Sequence, residues 1–118
     1  MPREAYLVTP EPVTYEALVR AAAEVDDTLG LRGIYGGHAL QLVRADGSFD
    51  AVLTIENSRR LDAGSDARRV TRGLELPDGE VWWTEALAPW GPAGDPGVAV
   101  LVGLARRLGG RLKIEDGT

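Results

Sequence analysis

Residues 49–56, FDAVLTIE, alternate along their length. Phe49, Ala51, Leu53 and Ile55 fall on one side, and Asp50, Val52, Thr54 and Glu56 on the other. A period of two with one apolar side predicts a strand in a sheet covered on one face only. Residues 38–45, HALQLVRA, precede it, and the segment ADGS between them predicts a hairpin. A second hairpin is expected from VTRGLEL and EVWWTEALA around the turn PDG. EAYLVT at 4–9 and RLKIE at 111–115 read as two further strands, and LRGIYGG holds a short strand and a bend.

Two segments change to the helical period. Thr14 is a good N-cap, with Val13 before it and Leu18 placed to staple the first turn. Tyr15, Leu18, Ala22 and Val25 share one face, and Asp26, Asp27, Thr28 and Gly30 break the helix. The second helix is expected over about 96–108, with Asp95 as N-cap, Pro96 at the first helical position and Gly109–Gly110 as the stop. Val98, Leu101, Val102, Ala105 and Leu108 form its stripe, which Val100 and Leu104 widen. A helix so apolar calls for deep burial or a covering partner. The order β-α-β-β-β-β-α-β, with the polar segment 57–69 as a loop or short helix, predicts an α+β two-layer sandwich. Its sheet is mainly antiparallel, both helices lie on one face, and a single domain spans 1–118.

Composition narrows the chemistry. The 118 residues contain no cysteine, which excludes disulfides, thiol nucleophiles and thiolate metal sites. The net charge of -5 disfavours a nucleic-acid partner. The longest apolar stretch, GVAVLVGLA, is too short to cross a bilayer, and MPREAYLVTP lacks the pattern of a secretory leader. A cytoplasmic protein is expected on those grounds. GDPGVAVLVGLARRLGGRLKIEDG resembles the helix-GG-strand end of histidine-kinase ATPase domains over about 25 residues. The chain lacks that family's Asn-rich helix and Asp-x-Gly-x-Gly box, and a helix ending in glycine before a strand is generic, so the assignment is rejected.

No nucleophile–base–orienter set is evident, and no metal or cofactor motif, so neither a catalytic residue nor a cofactor is expected. The only histidine, His38, stands in YGGHAL beside Tyr35. It reads either as a base in a pocket wall or as the start of a strand. Glu56 and Glu85 sit on strands, each expected on the open face, where paired carboxylates are able to do acid–base work. Arg59, Arg60, Arg68, Arg69 and Arg72 cluster within a short polar segment suited to an acidic partner or an anion. All three tryptophans fall in VWWTEALAPW. In a strand Trp82 and Trp83 point to opposite faces. Trp82 goes with Thr84, Ala86 and Ala88 under the helices, Trp83 with Val81, Glu85 and Leu87 on the open face, and Trp90 pins the following loop. An exposed tryptophan among charges has the composition of an interface hot spot.

The expected function is therefore a small acidic protein-binding module of the inhibitor, immunity or adaptor type. It would dock on another protein through Trp83 and Glu85 or through Arg59, Arg60, Arg68 and Arg69, with a homodimer as a further arrangement. The alternative is a small-molecule site or modest enzyme, with His38, Tyr35, Trp83, Glu85 and Trp90 converging on one pocket.

Overall fold

A computed structural model describes residues 3–45, 50–61 and 81–115. The first element, β1 (Arg3–Thr9), leads through Thr14 into α1 (Tyr15–Val25). Thr14 is extended, and its hydroxyl accepts the backbone N–H of Ala17 at 3.1 Å, as the capping pattern predicts. Thr14→Ala is expected to cost about 1 kcal/mol in the free energy of urea unfolding, with no change in sheet content by circular dichroism.

Three strands follow: β2 (Gly30–Ile34), β3 (Ala39–Val43) and β4 (Ala51–Glu56). The three-residue β5 (Arg59–Leu61) comes next, then β6 (Val81–Ala88), α2 (Asp95–Leu108) and β7 (Arg111–Glu115). The sheet is antiparallel in every pairing, in the order β2-β3-β4-β6-β1-β7. β5 pairs with β6 beyond the end of β4. Both helices pack on one side of it, so the molecule is the α+β two-layer sandwich that the patterning predicts. The expected strand over 70–76 and the turn after it lie outside the described residues, as does Phe49.

The main core lies between sheet and helices. Ala5, Leu7, Leu42, Leu53, Ile55, Ala86 and Ala88 meet Leu18, Ala21 and Ala22 of α1 and Val100, Leu101 and Leu104 of α2. The buried stripe of α1 is therefore narrower than the periodicity suggests, and Tyr15 and Val25 are exposed. α2 touches both α1 and the sheet, which accounts for its breadth of apolar residues without a second chain. Val102 alone among its large hydrophobic side chains is exposed. The start of α2 differs from the expectation. Gly94 is the cap, and the Asp95 carboxylate makes no capping bond but lies 3.4 Å from the Arg3 guanidinium. At the far end Gly109 is left-handed, and Gly110 N–H reaches back to Ala105 C=O, closing the helix in a Schellman arrangement.

One irregularity shapes the other face. β4 and β5 run along the same edge of β6, yet their registers differ by one residue: Ile55 opposes Ala86, whereas Arg59 opposes Trp83. The extra residue is a bulge at Asn57–Ser58. Ser58 binds inward there. Its hydroxyl lies 2.7 Å from that of buried Thr84 and accepts the N–H of Val13 at 2.9 Å, tying the entrance of α1 to β6.

Candidate functional site

The sheet face away from the helices has two halves. At one end Val8, Val81 and Trp83 form a second buried cluster, flanked by Tyr6 and Leu61. At the other end a depression of about 430 Å³ opens. β1 contributes Glu4 and Tyr6 to it, β6 contributes Glu85 and Leu87, and β4 contributes Thr54 and Glu56. Ala86 of β6, Gln41 and Ala39 of β3, Ile34 at the end of β2 and Tyr35 after it complete its lining.

Register explains this assembly. Tyr6 opposes Glu85 across β1–β6, and Glu4 opposes Leu87. Extending the β4–β6 register by one residue sets Glu56 opposite Glu85, on the same side of the sheet. The bulge then turns the chain, and Asn57 anchors the far wall. Its N–H donates to His38 C=O and its amide to Gly37 C=O. That wall is a tight turn in which Tyr35, Gly36 and Gly37 all have positive φ. Gly36 and Gly37 accept this conformation freely, whereas Tyr35 at φ 51° carries strain that a tyrosine seldom bears. The Tyr35 side chain is 78% exposed at the rim.

The depression is acidic. Glu4, Glu56 and Glu85 line it, and none of its described lining residues is basic. Glu85 is the best-held of the three. Its Oε1 accepts the Trp83 indole N–H at 3.2 Å and lies 3.5 Å from the Arg59 guanidinium. A hydrogen bond to Glu85 pushes the Glu56 carboxyl above the usual glutamate range. Slight desolvation of this exposed side chain and repulsion by Glu85 add to this, and Arg59 works against it. The Tyr6 hydroxyl donates to Glu4 Oε2 at 2.9 Å. That bond, burial and the surrounding carboxylates push the phenol up to about 12. On the opposite wall Arg32 donates to Gln41 Oε1 at 2.9 Å and Gln41 Nε2 donates to Thr54 at 3.0 Å, which fixes the Gln41 amide.

Several expected site residues lie elsewhere. Trp83 is on the open face as its parity requires, but it is 1% exposed, so it presents no surface to a partner. The physical reason is a second core that the sheet builds there, with the Tyr6 ring stacked 4.9 Å from the indole. Trp82, expected under the helices, is only half-buried. Trp90 is 42% exposed and is held off the core, with the Arg3 guanidinium 5.8 Å from its ring. Arg3 also donates to Pro89 C=O at 2.7 Å, so an arginine rather than indole burial secures this loop. His38 is exposed and does not line the depression. Of the expected pocket set, Tyr35 and Glu85 come together there and His38, Trp83 and Trp90 do not, although Trp83 braces Glu85 from the neighbouring core.

Arg59 reaches Glu85, and Arg60 lies on β5 opposite Trp82. Arg68 and Arg69 lie outside the described residues. Glu4 and Tyr6 are not among the expected site residues, although alternation in β1 marks them: they alternate with Ala5 and Leu7, which enter the main core. Among the described residues no group of three His, Cys, Asp or Glu side chains is placed to hold a metal, and no helix is long and apolar enough to cross a membrane. The chain matches no family model, and no curated protein or solved structure is significantly similar to it.

Proposed function

We propose that this chain is a binding domain whose open-face depression takes a cationic group, an ammonium or guanidinium. The observation that carries the reading is the concave acidic lining: Glu4, Glu56 and Glu85 converge with Tyr6 and Tyr35, and no described lining residue balances their charge. A bound cation relieves the repulsion between Glu56 and Glu85, and the two tyrosines offer ring faces to it. The strained backbone at Tyr35 fits the same reading, because strain persists where a side chain is held for a purpose other than stability. The cation belongs either to a free small molecule or to a lysine or arginine of a partner protein. Tyr35 and Leu87, exposed at the rim, favour the partner as a second reading, since they supply apolar contact around the charge.

Agmatine, which carries both cations, is a suitable probe. Titration calorimetry at low salt is expected to detect binding. Glu85→Gln should weaken it about tenfold, equivalent to ~1.4 kcal/mol, and added salt should weaken it further. Tyr35→Gly should weaken it while leaving thermal stability unchanged or raised, because glycine relieves the left-handed backbone. The reading fails if the chain binds n-butylurea, a neutral analogue, as well as it binds agmatine, or binds neither.

A further inference from the structure

We infer that in the empty depression Glu56 and Glu85 hold one proton between them, and that a seated cation takes its place. The inference concerns regulation of the site and rests on the cation-binding reading above. Three placements support it. Strand register, extended by one residue, sets the two glutamates opposite each other on one side of the sheet. The two glutamates are held unequally. Glu85 has one oxygen engaged by the Trp83 indole and by Arg59. Glu56 has the Glu85 carboxylate as its chief neighbour and is the member that keeps the proton, in line with its raised titration. Lastly, both side chains line the cavity, so a ligand charge arrives beside the shared proton.

Of the other charged groups around the pair, Arg59 offsets it only in part. β1 presents Glu4 and Tyr6, whose hydroxyl is already donated to Glu4. β7 presents Lys113, whose ammonium lies 3.3 Å from Glu115. β3 presents uncharged Gln41, and the turn after β2 presents Tyr35. Among the described residues Arg59 is directed at Glu85, and Arg32 of β2 donates to Gln41. Loss of the proton therefore leaves two carboxylates facing each other, a state that an ammonium or guanidinium relieves. The atom balance is simple: the cation enters, one proton leaves to solvent, and no covalent bond changes.

The Trp83 indole N–H reports on the pair without any ligand, because it donates to Glu85. Nitrogen–proton correlation spectra of the whole chain, recorded over about pH 4 to 8, should show this signal moving in a step above the ordinary glutamate range. The step should be absent from Glu56→Gln, whose amide keeps a hydrogen bond to Glu85 without a titrating proton. Glu85's own ionisation gives a lower step in both proteins; the absence of any upper step from the unsubstituted chain, or its survival in Glu56→Gln, overturns the shared proton. Calorimetry with agmatine in buffers of different ionisation heat then tests the exchange. Below the upper midpoint about one proton should be released per agmatine, with affinity rising about tenfold per pH unit, and Glu56→Gln should show neither effect. Binding without proton release overturns this inference and leaves the cation site standing. No binding of agmatine removes the cation site and with it the exchange, while the indole step still decides whether the proton is shared.

Discussion

Trp83→Ala is expected to be among the most destabilising single substitutions in this chain, at about 3–5 kcal/mol of unfolding free energy. The indole is 1% exposed and is the largest fully buried side chain among the described residues. It fills the space between Val8, Val81 and Leu61 and stacks on Tyr6. Alanine leaves a cavity there and strands Glu85 without its indole donor. Trp83→Phe separates these effects. It keeps the stack and most of the volume but loses the N–H, and it should cost about 1–2 kcal/mol. Trp82→Ala, at a half-buried position, and Trp90→Ala, at an exposed one, should each cost less than Trp83→Ala. Urea unfolding of the three alanine variants checks the order. A larger loss for Trp82 than for Trp83 would contradict the packing described here.

That order also shows where the sequence is informative. Strand parity correctly sends Ala86 and Ala88 toward the helices and Trp83 toward the other face. It does not say which face is dry at that point along the strand. Dryness at Trp83 comes from Val8 and Tyr6 of β1 and from Leu61 of β5. These strands are far away in sequence and become neighbours only through the order of the sheet. β5 itself is hidden by composition, because Arg59, Arg60 and Leu61 carry no alternation long enough to read as a strand. Local signals fare better. The Thr14 cap and the Gly109 stop depend on hydrogen bonds within a few residues, and both are legible. Asp95 misleads because its competitor is remote: Arg3 draws the carboxylate away, and Gly94 takes the cap.

The candidate site follows the same division. Glu56 and Glu85 are each assigned to the open face by alternation alone. Their pairing depends on the β4–β6 register, and the confinement of the depression depends on the bulge that lets Asn57 hold the Tyr35 turn. Trp83 then links the two halves of this face. Its ring belongs to the dry cluster, and its one polar atom positions a carboxylate of the wet depression. A change in packing at Trp83 is therefore felt at Glu85, even though the indole does not line the depression.

The second large effect is expected at Gly97, in the first turn of α2. A methyl group there would lie 2.0 Å from the Val52 carbonyl oxygen and 3.1 Å from the Leu53 Cβ. The first of these is backbone in a central strand, so no rotamer change relieves the clash, and the helix must move away from the sheet. Val100, Leu101 and Leu104, all fully buried on that helix, would lose contact together. Gly97→Ala should therefore cost about 3 kcal/mol or more, despite the better helix propensity of alanine. Gly103 on the same helix is the control. Its added Cβ would meet the Ala21 Cβ at 3.9 Å, an ordinary contact between α1 and α2. Gly103→Ala should stabilise the chain by up to about 1 kcal/mol through helix propensity. Opposite signs for one chemical change on one helix, read as shifts in urea midpoint at constant slope, would show that close approach of α2 to β4 sets the spacing of the two layers. Equal effects at the two positions would show that propensity alone governs both.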